Sequence, residues 1–527
     1  MRKISLLLVV MLLFVTVMAG CSSNDTPPEP APNGSDETPG EDPSDDPAEP
    51  PKDTVVIATG AAPSELDGNG KNDSASLQVR LQMYETLVTT DSDMNIVPAI
   101  AESWDYIDDT TIVFKIREGV KFHDGTELKA SDVEFSLVRA DAIGYTGNNL
   151  KVIDFDNSGA TGEYEYTMKL HAPFSPVLSS LTVGAAGMVS QAYVEANTEE
   201  FLARNPNGTG PFTLDEWYDG DRIELVKFDD YWRETQGAQR LVFRFIAEAA
   251  NRAIEVEVGG VDLAYDLSPN DTIRLQEDPN VDVFLADNLS TTYIGFNYTK
   301  ENLQDKLVRQ AVRYALDLET IVDAVYFGLG HTGVSTIAPA VWGFSDNVPS
   351  YTFDPDKARD LLAQAGYEDG LTTKIWTSDN QQRMVIAEIM QNQLGAVGIN
   401  AEVEVIEWGN FLVALQNKEL DIYILGISAS TGDGDALYNN HHSTSPFSGN
   451  TGYYNNPELD VLLEQSRLET DPAERMKVLE EVQQMVMEEL PWIPVWHGVN
   501  AIGMAPGLEG FSAHPSGTHI LTEVHFR

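Results

Sequence analysis

The sequence predicts a mixed α/β fold divided into two or three lobes. Three observations lead there. The stretch from Asp53 to Arg527 is about 475 residues of regular apolar patterning, more than a single hydrophobic core organises. Within it, short runs such as Thr111-Ile-Val-Phe-Lys-Ile116 alternate apolar and polar residues, the period of a half-buried strand. Other segments carry apolar residues at three- and four-residue spacing, the period of an amphipathic helix. The chain shows no internal repeat of the length that marks a solenoid.

In chain order, Thr54–Ala58 reads as the first strand, stopped by Gly60 and Pro63. After the strand Thr111–Ile116, Gly119-Val-Lys-Phe-His-Asp-Gly125 closes in an Asp-Gly turn. Ser131 is placed to cap a helix over Asp132–Ala140, with Glu134 three residues on completing a capping box. Leu150–Ile153 and Tyr164–Leu170 read as strands. Helices are expected over Lys306–Tyr326, Asp356–Ala365, Arg383–Val397, Pro457–Thr470 and Pro472–Glu489.

The start of the chain has a different composition. Met1-Arg-Lys3 is basic, and Ile4 to Met18 is an apolar run too short to span a bilayer, which needs about 20 residues. Ala19, Gly20 and Cys21 follow, and Cys21 is the only cysteine of the chain. This resembles the bacterial lipoprotein pattern, which implies a signal peptide over 1–20 and a lipid on Cys21. Within residues 21–52, everything after Cys21 is almost all Pro, Asp, Glu, Ser, Gly, Asn and Thr, with no apolar side chain larger than alanine. Such a segment cannot offset its ordering entropy by burial and reads as a disordered tether. A single cysteine excludes an internal disulfide. The formal charge of -50 repels nucleic acid and anionic headgroups, so no nucleic-acid partner is expected.

Several blocks then stand out: Ala101-Glu-Ser-Trp104, Thr111 to Thr126, Ala130-Ser-Asp-Val-Glu-Phe-Ser136, Asn207-Gly-Thr-Gly-Pro-Phe212 with Asp230-Tyr-Trp232, and Tyr293-Ile-Gly-Phe-Asn297 leading into Val308 to Asp317. Phe353 to Ala358, Ala365-Gly-Tyr367 and Pro491-Trp-Ile-Pro494 complete the set. Together and in this order they resemble the solute-binding proteins of ABC importers, in the family of dipeptide-, oligopeptide- and nickel-binding proteins (family 5). The resemblance implies a periplasmic-binding-protein-like clamp of class II, bilobal, with two large lobes and a smaller inserted one. It assigns 53–88, 205–295 and 497–527 to lobe Ia, 89–204 to the inserted lobe Ib and 296–496 to lobe II. The crossovers between lobes fall near Tyr293–Asn297 and Val495–His497. It further implies a monomer outside the cytoplasm, anchored through Cys21, that closes on an extracellular solute, most often a peptide, and delivers it to a permease. It implies no catalytic residue and no cofactor.

The same resemblance places the ligand along Asp421 to Asp435. Candidate contacts are Trp376, Thr377, Gly426, Ile427, Ser428, Ala429, Ser430, Thr431, Asp433, Asp435 and Asn297. In peptide-binding relatives an aspartate for the peptide amine stands where this chain has Ser430, and an arginine for the carboxylate aligns near Thr377. Both handles are missing here. Free di- and tripeptides are therefore expected to bind poorly, leaving a longer or capped peptide held by its backbone, or a neutral oligosaccharide stacked on Trp342, Trp376, Trp408 or Tyr438. Arg383 is a shifted candidate partner for a carboxylate. Asp433 and Asp435 also fit plain turn chemistry, as Gly-Asp-Gly-Asp.

Three further motifs carry less. Asp154, Asp156, Ser158 and Glu165 have the oxygen spacing of a calcium loop, but strands rather than helices are expected to flank them. Gly328-Leu-Gly330-His-Thr-Gly333 has the letters of a dinucleotide fingerprint without a strand before it or a helix after it. His441-His442 are sequence neighbours, which rarely reach one metal ion. An enzyme using Asp433, Asp435 and His441 has no supporting pattern such as HExxH or GxSxG.

Overall fold

A computed structural model describes residues 53–71, 73–445 and 449–527. The expected signal segment, Cys21 and the tether lie outside the described residues. The fold below belongs to the unit Pro51–Arg527.

Its spine is an eleven-stranded sheet. At one end, Leu371–Ser378 pairs in parallel with both Ile399–Ile406 and Ile422–Ser428. At the other, Thr54–Thr59 pairs in parallel with Arg240–Phe245 and Leu263–Ala264, and Arg222–Lys227 and Phe212–Tyr218 extend the edge. Two long antiparallel strands, Asp282–Phe296 and Trp492–Met504, join the halves. Their sequences explain why they cross. The first half of Asp282–Phe296 is mostly exposed or half-buried, whereas Tyr293, Ile294 and Phe296 at its end are fully buried. Tyr293 stacks on Trp492 of the partner strand at 3.8 Å between ring centroids, a contact worth about 0.5–1.5 kcal/mol beyond its buried area. The register between the two strands shifts at Asp287/Thr291 and again at Thr292/Tyr293. Such bulges bend and twist a strand pair, and these lie where the chain passes from one half of the sheet to the other.

Separate apolar clusters flank the spine. One gathers Ile294, Val312, Ile375, Ile386, Ile424 and Val495 under the helices of the 306–395 region. Another gathers Val55, Ile57, Phe212, Leu241, Phe243 and Ile502. A third is built on a separate four-stranded sheet, Ala101–Asp108, Thr111–Ile116, Glu165–Lys169 and Gly159–Gly162. The helix Ala130–Ile143 covers it, burying Val133 and Leu137 with Phe114, Phe122 and Tyr166.

Local expectations differ from the structure at identifiable points. The helix expected from Asp132 begins at Ala130. Its capping box joins Lys129 and Asp132, whose carboxylate accepts the Lys129 N–H at 3.0 Å. Ala130 is buried and its N–H is bound by the Glu163 carbonyl, which pulls the start forward. Ser131 thus sits inside the first turn, and Glu134 accepts the Ala160 N–H at 2.9 Å instead. The helix expected over Lys306–Tyr326 is two, Lys306–Ala315 and Leu318–Tyr326. Asp317 is extended between them and accepts the Thr320 N–H and hydroxyl, a cap the apolar spacing conceals. Leu150–Ile153 is reduced to a single bridge between Ile153 and Leu170, and the neighbouring strand is Glu165–Lys169.

Candidate functional site

The strand Ile422–Ser428 brings the ligand-facing segment to the crossover. Gly426 pairs with Thr292 and Ser428 with Ser290. Gly426 and Ser428 alternate, so they share one face of the sheet. The chain then turns through Ala429 to Asp435, with Gly432 at φ +67 lying against Met94 of the 87–188 region.

Adjoining cavities open along this face. One of about 250 Å³ is lined by Ser74, Thr90, Thr182, Ser428, Ser430 and His514 among others. One of about 230 Å³ shares Ser74 and Ser428 with it and adds Asp266, Asn288, Ser290 and Asn500. A third, of about 280 Å³, is lined by Leu267, Pro269, Thr292, Tyr326, Arg383 and Trp496. Each draws residues from segments far apart in the chain, on both sides of the crossover strands. The lining is rich in hydroxyls, and its charged side chains are Asp266 and Arg383. A larger cavity of about 670 Å³ lies on the other side of the 429–435 turn, between Tyr106, Asp109 and Phe174 and the residues Trp342, Asp433 and Arg475.

The electrostatics of the two charges are distinct. Asp266 is exposed to water yet crowded by the cleft floor, which pushes its carboxyl up; Arg252 works in the opposite sense. It holds φ +53, a left-handed backbone that is uncommon outside glycine. Arg383 is half-buried in the first turn of the helix Gln381–Gly395, and burial pulls its guanidinium down, with Tyr326 and Tyr293 opposing.

The other candidates are placed as follows. Ser428 and Ser430 are exposed and line the cleft; Thr431 is half-buried beside them. Ile427 faces a cluster with Tyr293, Phe411 and Trp492, and Ala429 is buried in a cluster with Leu289 and Leu437. Trp376 packs at the edge of the Ile427 cluster, with Lys374 5.4 Å from its ring. Thr377 is fully buried and donates to the Ser378 carbonyl. Asn297 is buried and donates to the carbonyls of Lys418 and Leu420. Asp433 is held by Arg475 at 2.5 and 2.9 Å, with side chains 6% and 3% exposed, and the Ser179 hydroxyl reaches it at 3.3 Å. Asp435 is held by Arg467 at 2.5 and 2.9 Å, and burial pushes its carboxyl up against that pull. Of the other aromatic candidates, Trp342 lines the larger cavity and takes the Arg475 guanidinium at 4.8 Å, Tyr438 takes that of Arg467 at 3.3 Å, and Trp408 stacks on Phe411.

In the calcium-like loop, Ser158 donates to the Asp154 carbonyl and accepts the Lys169 N–H, Asn157 donates to the Asp154 carboxylate, and Glu165 accepts from Thr161. Asp156 stands in the same loop. Gly330 has φ +80 and abuts the Trp496 indole, which leaves no room for a Cβ, so close approach accounts for this glycine. His441 meets the Thr336 hydroxyl at 3.1 Å, whereas His442 stacks on Tyr438 and bonds Thr444, so the two rings diverge. Among the described residues no group of three His, Cys, Asp or Glu side chains is arranged to hold a metal ion. Asp266 escapes sequence reasoning because no periodicity marks it; the only local signal is its place just ahead of the Ser268-Pro269 helix start.

Comparison with known proteins agrees with this geometry. The family model for bacterial extracellular solute-binding proteins, family 5 Middle, matches residues 95–449. The heme-binding protein A of Haemophilus influenzae is 30% identical over 500 residues, 88% of this chain and 90% of that protein. The glutathione-binding protein GsiB of Escherichia coli K12 is 29% identical over 456 residues, 84% of this chain and 88% of that protein. Among solved structures, HbpA2 of Haemophilus parasuis superposes with a TM-score of 0.83 at 26% identity, covering 90% of this chain and 100% of that one. DppA of Helicobacter pylori, in complex with the peptide STSA, gives 0.76 at 26% identity, with 90% and 98% covered. These proteins share the bilobal α/β clamp and serve transport by binding rather than by catalysis. The chain belongs to the bacterial extracellular solute-binding proteins of family 5, the binding components of ABC importers.

Proposed function

We propose that this protein is a lipid-anchored receptor that captures peptides outside the cytoplasm and presents them to an ABC permease. The observation that carries the reading is the cleft itself. Its walls come from both sides of two bulged crossover strands, so a ligand touching Ser428 or Ser430 on one side and Ser74 on the other bridges them. A ligand that makes more contacts when the walls are close stabilises the closed form, and that difference is the signal a permease reads. Relatives described as binding the peptide STSA, the dipeptide Met-Leu and a nonapeptide support peptides as the ligand class. The lobe limits we adopt are 53–88 with 205–295 and 497–527, 89–204, and 296–496. Cys21 carries the anchor, residues 21–52 hold the domain away from the membrane, and the receptor acts as a monomer.

A second reading has one observation in its favour. The hydroxyls of Ser74, Thr90, Thr182, Ser428 and Ser430 would also suit a neutral oligosaccharide. Uptake separates the two. Deleting the gene should slow uptake of an isotope-labelled pool of short peptides, and the full chain should restore it. Unchanged peptide uptake together with slowed uptake of maltotriose would overturn the peptide reading.

A further inference from the structure

Of the cavities described above the largest, about 670 Å³, lies outside the cleft. That volume is in the range of small-molecule sites, roughly 300–1,000 Å³. One wall comes from residues 94–109 and 174–179, the other from Trp342 and residues 432–475. Two hydrogen bonds tie the walls together: the Ser175 N–H reaches the Arg467 carbonyl at 2.8 Å, and the Ser179 hydroxyl reaches Asp433 at 3.3 Å. Met94 is the partition, because it lines both this cavity and the cleft cavity that holds Ser428 and Ser430. It is buried with a left-handed backbone at φ +61, against Gly432, where a Cβ would take its space. Cavity and cleft are thus neighbours with separate linings.

The lining selects a ligand class. Met94, Ile96, Phe174, Leu178 and Trp342 give the interior an apolar and aromatic surface. Its buried charges are already spent. Arg475 gives its Nε to the Ser466 carbonyl and both Nη groups to Asp433, so no cation is left to receive an anion. The acids Asp108 and Asp109 also line the cavity. Asp108 is engaged by Thr110 and Thr111. Asp109 is exposed, and among the described residues its carboxylate accepts no hydrogen bond. Tyr106 shares this lining and is 50% exposed. An aromatic face together with a free carboxylate suits a positive group. We propose that this cavity is a second binding site, separate from the transport cleft, for a cationic aromatic molecule, with its rings among Phe174, Leu178 and Trp342 and its positive group at Tyr106 and Asp109. Such a ligand touches both walls and so favours the arrangement that holds them together.

The test is a fluorescence titration of the full chain with proflavine, a three-ring cation, and with acridine, the same ring frame without charge at neutral pH. The chain carries a formal charge of -50 and attracts any cation, so Glu368→Gln, which removes an exposed acid outside the cavity, is the control. The wild-type protein should bind one proflavine and prefer it to acridine. Asp109→Asn should weaken proflavine binding about threefold, within the range of one exposed ion pair, and leave acridine binding unchanged. Glu368→Gln should change neither. Leu178→Trp, which fills the interior, should abolish binding of both, whereas Ser430→Trp, which obstructs the cleft, should leave both intact. Asp109 is exposed in a turn, so its variant reports on the site even if Leu178→Trp fails to fold. Equal losses in Asp109→Asn and Glu368→Gln would reduce the effect to the field of the whole protein. Loss of binding in Ser430→Trp would place the probe in the cleft. Either result, or no saturable proflavine binding, would overturn the proposal.

Discussion

Asp433 and Asp435 stand beside the cleft in sequence, yet each is occupied by an arginine. Asp433 and Arg475 form a two-pronged pair with both side chains almost fully buried. Removing one member of such a pair leaves a buried charge without compensation, a loss of about 3–5 kcal/mol. Arg475→Leu should therefore lower the unfolding free energy of the protein by about that amount in urea, with Asp433→Asn milder because its amide still accepts a hydrogen bond. If Arg475→Leu unfolded at the wild-type urea midpoint, the pair would not be structural. At this scale the sequence was legible in part. Gly-Asp-Gly-Asp announced a turn, and Arg383 announced a cation, but the partners of Asp433 and Asp435 lie 42 and 32 residues away on helices whose facing cannot be read from spacing. Asp266 was hidden for a related reason, since its left-handed backbone and its place in the cleft lining follow from the fold and not from local sequence.

Elements were easier to read where their ends carry strong local chemistry. The helix Pro472–Glu489 matches its expected bounds because Pro472 follows a capping aspartate, Asp471, that accepts the N–H groups of Ala473 and Glu474. The segment 306–326 was harder, because its apolar period runs through the break. There Asp317 starts a second helix, and the Arg313 guanidinium donates to the carbonyl of Leu316 at 3.2 Å. Asp317→Ala should destabilise the protein by about 1 kcal/mol, the usual worth of an N-cap, and Asp317→Ser should recover most of it. Equal losses in both variants, measured by denaturant unfolding, would show that the side chain does something other than cap.

The whole molecule depends on contacts that no window of sequence contains. The sheet order places Asp282–Phe296 beside Trp492–Met504, some 200 residues later, and the cleft forms where that pair is bulged. Composition and periodicity gave mixed α/β and more than one core; the ordered blocks from Ala101 to Pro494 gave the clamp; only the fold brought Ser74, Ser428 and Ser430 together around one cleft. The central claim is that a peptide occupies that place. The most direct measurement is native mass spectrometry of the full chain, purified gently from cells grown on peptides. We expect a retained species whose fragments are amino-acid residues. A retained mass in hexose steps, or one whose fragments contain no amino acid, would contradict the claim.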